Sequence, residues 1–306
     1  MREQKRVLAM GFFDGVHLGH AALLERTKLL AKEQGLMPSV LTFDQHPDTL
    51  VFGKEVPLIN SAAGREEIIH RCFGIENVVF IHFDRRMMQM EWRDFLDSVV
   101  RELQVAHFVV GHDFCFGYRG QGNAERLKGY SCEHGLGCDV IPPVMLDGQI
   151  VSSTHIRELI RDGRVDEARR WLGRPHTLTD IVRSGYHLGR RLGSPTINME
   201  IPGGVIVPRF GVYATKVYLD NGELWPAVTN IGVRPTVSQE GRVTVESHLI
   251  DYQGDLYGHR ARVEFYRFLR SEIRFADRAA LSDQIAKDEE DAKGYFAQEE
   301  PNSTAG

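Results

Sequence analysis

The chain is poor in cysteine, with four in 306 residues (Cys72, Cys115, Cys132 and Cys138) and no C-x-x-C pair among them. That excludes a disulfide scaffold and a zinc knuckle, and it reads as reduced thiols in a cytoplasm. No apolar stretch approaches the ~18 residues of a membrane span. The basic start MREQKRVLAMGFFDGVH turns polar after about six apolar or small residues, short of the ~7–15 of a signal-peptide core. A basic excess is missing too. Lys and Arg number 37 against 42 Asp and Glu, a net charge of −5, with 21 against 24 up to residue 172 and 16 against 18 beyond it. Neither part carries the positive field of a general nucleic-acid binder. Repeats and low-complexity segments are absent. What is present is an ordinary globular composition, 42% hydrophobic and 26% charged, and length enough for two domains of ~100–200 residues each.

Two textures meet at about residue 172. Before it, short apolar runs (7–10, 40–43, 78–83, 107–110 and 139–141) alternate with helix-like stretches at 21–34, 92–103 and 154–161. Parallel strands need crossover connections, usually helical, so the alternation predicts a parallel sheet wrapped by helices. After it, residues 211–233 read as strand, an Asn221-Gly222 turn, then strand, and two further runs alternate with period 2. These predict an antiparallel barrel or sandwich, with a covering helix at 278–298 carrying Leu281, Ile285 and Ala292. LGRP at 172–175 is the expected hinge, giving domains 1–172 and 173–306.

The first apolar run leads directly into GFFDGVHLGH at 11–20. Glycines at 11, 15 and 19 admit close backbone approach, and the helix that follows presents free amides to a phosphate. His17 and His20, three apart, can face one way on a helical turn and neutralise charge building on a phosphate and its leaving group. A zinc site drawing on Asp44 and His46, or a purely structural turn, would use the same residues differently. SSTHIR at 152–157 opens a second helix, where Ser153 and Thr154 offer caps and Arg157 offers a planar fork for phosphate oxygens. In the second half, GYHLGRRLGSPTIN at 185–198 is a glycine-rich loop able to cradle phosphates, followed by Thr196 and Asn198 as hard oxygen donors suited to Mg2+.

GFFDGVHLGH resembles the signature of the H-x-G-H nucleotidyltransferases, and SSTHIR stands where their second motif should. TFDQHP at 42–47, VVGHDFCFGYRGQGN at 109–123 and LGRP then resemble, in order, segments of the bifunctional prokaryotic riboflavin kinase/FAD synthetases. The later segments GVYA (211–214), NIGVRPT (230–236) and VESHLID (245–251) resemble the flavokinase domain. The resemblance implies a Rossmann-like nucleotidyltransferase domain and an antiparallel β-barrel kinase domain with a closing helix. It also implies a cytoplasmic enzyme that phosphorylates riboflavin to FMN and adenylylates FMN to FAD, using ATP and Mg2+, with no nucleic-acid or membrane partner and with homo-oligomerisation left open.

For the first half it implies catalytic roles for His17, His20 and Arg157, and nucleotide contacts from Gly11, Phe13, Asp14, Gly15, Ser153 and Thr154. Asp113, Phe114 and Phe116 would lie at the flavin and nucleotide site, with core packing as the alternative for each ring. For the second half it implies Glu246 as base, nucleotide contacts from Gly185, Gly189, Arg190 and Gly193, and metal contacts from Thr196 and Asn198. Period-2 alternation puts Thr244, Glu246 and His248 on one strand face. Four positions depart from the family pattern: Phe12 for Asn, Gln45 for Pro, Asp180 for Gly, and Ser194 for an aromatic. None removes a proposed catalytic group, and they bear on substrate affinity and relative rates more than on reaction type. Phe12 and Gln45 leave open a kinase with an inactive first domain; a flavin-sensing or RNA-binding regulator that kept the folds without turnover is a rival of another class, against which intact His17, His20 and Glu246 count.

Overall fold

The computed structural model describes residues 4–53, 55–183, 196–234, 242–254 and 256–299. The chain forms two compact units, Met1–Ser153 and Thr154–Gly306.

In the first unit, strands β1 (Arg6–Met10), β2 (Met37–Phe43), β3 (Asn77–Ile81) and β4 (Val105–Gly111) are joined by a further strand at Gly137–Ile141. Spatial order is β3, β2, β1, β4 and then the 137–141 strand, all parallel. The sheet is covered on both faces, and alternation along β1 shows how. Val7 and Ala9 share a core with Leu23 and Leu24 of helix α1 (Leu18–Gln34) and with Ile68 and Ile69 of a helix at Ala62–Phe73. Leu8 and Met10 face the other way, toward Phe95 and Leu96 of the helix Trp92–Leu103 and Leu127 of the helix Ala124–Glu133. Strand order reverses between β1 and β4, and in such sheets the crevice beyond the carboxyl ends at the reversal is where ligands bind. GFFDGVHLGH leaves β1 at that point.

The second unit is a six-stranded antiparallel sheet in the order 176–181, 260–270, 211–219, 224–234, 242–249, 196–200. It closes on itself. The two outermost strands meet through an antiparallel bridge in which Arg183 N donates to Asn198 O at 2.9 Å. Asp180 is placed at the same seam, where its Oδ2 accepts from Glu200 N at 3.1 Å. The interior is apolar (Ile197, Tyr213, Val217, Val245 and Phe265 among others) except for a chain of hydroxyls. Thr215, Thr229 and Ser247, all fully buried, bond successively at 2.7 and 2.8 Å, which satisfies polar groups that burial would otherwise penalise. His176 is also buried, and burial pushes its pKa down to about 3, so it sits neutral in the core.

The hairpin expected at Asn221-Gly222 forms: Gly222 takes φ 89°, and Asn221 Oδ1 accepts from Glu223 N. The C-terminal helix, Arg278–Glu299, covers the outside of the barrel wall. Ala292 and Phe296 pack on Val212, Ala214 and Val228, while Asp288 grips Arg270 with both oxygens at 2.8 and 2.6 Å. Leu281 and Ile285 are half-buried on the same helix. A helix at Val165–Leu172 packs against the strands 260–270 and 176–181.

Candidate active sites

The loop after β1 is held in a strained form. Phe13, Gly15 and Val16 take φ of 57°, 77° and 43°, conformations that cost a side-chain-bearing residue about 1–3 kcal/mol each. Tertiary contacts hold it there. Phe13 is fully buried, Asp14 Oδ1 accepts from Ile59 N at 2.8 Å, and the Ser153 hydroxyl donates to Asp14 O at 2.9 Å. Left-handed residues alternating with right-handed ones are the backbone from which anion-binding nests are made.

His17 is the N-cap of α1, which starts at Leu18, three residues before the expected Ala21. Its Nδ1 accepts from His20 N at 3.3 Å, satisfying one amide of the helix start. The two imidazoles stack 3.7 Å apart and 12° from parallel, so both rings stand at the helix N-terminus. Gly19 has a specific reason: a Cβ there would lie 3.0 Å from the His17 ring. Gly11 likewise leaves room for the Phe13 ring, 3.2 Å from where its Cβ would be. Two of the glycines therefore serve the motif's own aromatic rings.

Sequence reasoning missed Arg65. It lies on the helix Ala62–Phe73, wholly buried, and donates to Phe12 O (2.5 Å), Thr42 Oγ1 (3.0 Å) and Phe43 O (2.7 Å). Burial lowers its pKa to about 10, with Asp14 and Asp44 acting in the opposite direction, so it stays charged at neutral pH. One cation thus clamps the ends of β1 and β2 on which the motif and TFDQHP stand. No local pattern marks it, because an Arg between Gly64 and Glu66 at a helix start reads as solvated.

Two of the departures acquire roles here. The Phe12 ring lies 4.4 Å from the Arg65 guanidinium and edge-on to His46 at 4.6 Å. Gln45 donates its amide to Phe83 O, tying TFDQHP to the end of β3. Of the flavin candidates, Phe116 is buried in the core against Phe95 and Phe114, whereas Asp113 is exposed just beyond β4. Arg157 lies on the helix that opens at Ser153, with Thr154 in its first turn. Among the described residues no group of three or more His, Cys, Asp and Glu is arranged to hold a metal ion.

The second site is assembled by strand register. Glu246 pairs with Asn198 on one side and Asn230 on the other, and directly opposed residues share a sheet face. Thr196, two residues from Asn198, lies on that face and opposes His248. This face is the outside of the wall, since Val245, Ser247 and Leu249 point into the buried interior. Thr196, Asn198 and Glu246 are thus brought together, and Asn230, the first residue of NIGVRPT, joins them. Gly185, Gly189, Arg190 and Gly193, like Ser194, lie outside the described residues.

Comparison with known proteins agrees with both halves. A family model described as FAD synthetase matches residues 1–155, and one described as riboflavin kinase matches 172–296. A bifunctional riboflavin kinase/FMN adenylyltransferase of Pseudomonas fluorescens is 37% identical over 95% of this chain and 93% of its own length. Proteins of the same description from Escherichia coli K12 and Listeria monocytogenes are 34% and 32% identical, covering 96% and 95% of the chain and 94% and 93% of their own lengths. A crystal structure from Streptococcus pneumoniae described as a macrolide-efflux protein superposes with a TM-score of 0.83 at 28% identity, covering 96% of this chain and 95% of that one. No helix among the described residues here is long and apolar enough to cross a membrane. Matched across both halves, the chain belongs to the family of bifunctional riboflavin kinase/FMN adenylyltransferases.

Proposed function

We propose that the second half phosphorylates riboflavin to FMN with ATP and that the first half adenylylates FMN to FAD, releasing pyrophosphate, with the functional boundary near residue 172. The observation that carries the kinase assignment is the Asn198–Glu246–Asn230 rung, a carboxylate set between two amides on an outer strand face. Glu246 takes the proton of the ribityl 5′-hydroxyl as its oxygen bonds to the γ-phosphorus and ADP departs; positioned bases of this kind contribute about 10²–10⁴ in rate. Thr196 and Asn198 supply oxygen donors two residues apart beside a carboxylate, a set whose chemistry fits Mg2+. When bound, such a cation offsets charge on the ATP phosphate oxygens. The glycine loop 185–193 is proposed to hold the same phosphates.

In the first half a phosphate oxygen of FMN attacks the α-phosphorus of ATP directly and pyrophosphate leaves, without a covalent enzyme intermediate. The stacked His17–His20 pair at the start of α1 supports this, because ring N–H groups and helix amides there face charge that grows in the transition state. Gly11, Phe13, Asp14 and Gly15 are proposed to form the nucleotide loop, and Ser153, Thr154 and Arg157 to serve the phosphates. Asp113 and Phe114 are proposed at the flavin, with Phe116 packed behind them. The four cysteines are all free, in keeping with work in a reducing cytoplasm.

The test is incubation with riboflavin, ATP and Mg2+, with the flavins resolved chromatographically over time. FMN followed by FAD is the expected result. FMN that never becomes FAD would assign the chain to kinase activity alone, and unchanged riboflavin would remove both activities.

A further inference from the structure

The strand face that carries Glu246 continues to His248, two residues or about 7 Å along the strand. His248 directly opposes Thr196, at a typical Cβ separation of about 5 Å. Its Nε2 lies 2.8 Å from Oε1 of Glu289 on the C-terminal helix, with the two side chains 15% and 24% exposed. A carboxylate accepts, so Nε2 carries the hydrogen, and Nδ1 is the ring nitrogen left to serve the strand face. Which nitrogen of a histidine does which task is set by the bond the other one makes.

We propose that Glu289 is a positioning residue for the kinase step, acting through His248 to fix the imidazole beside Thr196 and Glu246. The proposal rests on the reading of Thr196 and Glu246 given above. Magnitudes argue against a purely structural role. The helix is already fastened by buried Ala292 and Phe296 and by the two-pronged Asp288–Arg270 pair, in which Asp288 is only 2% exposed. A partly exposed pair such as His248–Glu289 adds at most about 1 kcal/mol to that. What it adds instead is direction, since it holds one ring at the border of the phosphoryl site. Carboxylates that orient metal-bound histidines matter by about 10–100-fold, and here too the bond at one ring nitrogen fixes which nitrogen faces the site.

The experiment compares Glu289→Ala, Glu289→Asp and Asp288→Asn in the full chain. It reads kcat and KM for FMN formation, FAD formation from supplied FMN, the thermal midpoint, and the ring tautomer of His248 by 15N NMR. Glu289→Ala is expected to lower kinase kcat about tenfold with KM for riboflavin held within about twofold. Its midpoint should move by less than about 2 °C and its FAD formation should not change. Glu289→Asp should recover part of kcat, and the NMR signature of Nε2–H should weaken in Glu289→Ala. Asp288→Asn should do the reverse, lowering the midpoint while the folded protein keeps its kcat. Unchanged kcat and tautomer in Glu289→Ala, or a loss of kcat that only tracks unfolding, would overturn the proposal. If Glu246→Gln keeps full kinase activity, the underlying site reading fails instead, whatever Glu289 does.

Discussion

The two candidate sites are built by opposite means. In the first unit His17, Gly19 and His20 fall within four residues, and a strained loop and one helix start present them together. In the second, Asn198, Asn230 and Glu246 are spread over 49 residues and meet only because three strands pair in one register. A locally encoded site tolerates shifts elsewhere in its unit as long as the loop is clamped. A register-encoded site depends on the whole wall, because a one-residue slip turns every side chain to the other face.

The comparison is broken most sharply by paired variants. Glu246→Gln should lower FMN formation by at least about 10²-fold while FAD formation from supplied FMN persists. His20→Ala should do the converse, lowering FAD formation by about 10²–10³-fold. Flavin chromatography with each substrate checks both, and loss of both activities in either folded variant would contradict separate sites. Next in size is Arg65→Ala. Removing the clamp strands Phe12 O and Phe43 O, and we predict a loss of about 3 kcal/mol in denaturant unfolding of the first unit, with FAD formation failing before FMN formation.

A pH experiment sharpens the barrel's side. The folded pKa of His176, about 3, lies below its unfolded value of about 6.5. The unfolded chain therefore binds the extra proton between those values, and stability contributed at neutral pH is lost as pH falls through that window. By pH 5 the loss from this one group should be about 2 kcal/mol. His176→Leu should flatten that part of the stability-against-pH curve relative to the parent chain, and an identical slope in both would refute the assignment. The smallest effect is expected from Asp180→Ala, which removes the acceptor of Glu200 N at the barrel seam and should cost about 1 kcal/mol.

Much of the architecture was legible. Alternation of short apolar runs with helical stretches announced the parallel sheet, and Asn221-Gly222 announced the hairpin, because these are local consequences of side-chain periodicity and turn chemistry. Parity along 243–249 was legible too, and it correctly separated Glu246 and His248 from Val245 and Leu249. Less legible were the departures from the family pattern. Phe12 and Gln45 read as threats to the first site, yet one packs on Arg65 and the other bonds to Phe83 O. Asp180 read as an oddity and accepts from Glu200 N at the barrel seam.

By itself, then, the sequence determined the two classes of layer, the order of the motifs, that a helix follows GFFDGVHLGH (though it begins at Leu18 rather than Ala21) and the face on which Glu246 stands. Those properties follow from neighbours a few residues apart. Only the tertiary structure decided that Asn230 flanks Glu246, that a buried Arg65 clamps the nucleotide loop, and that Glu289 reaches His248. Each of these joins groups at least 16 residues apart on different elements, and such meetings are set by strand register and helix docking, which no local pattern specifies.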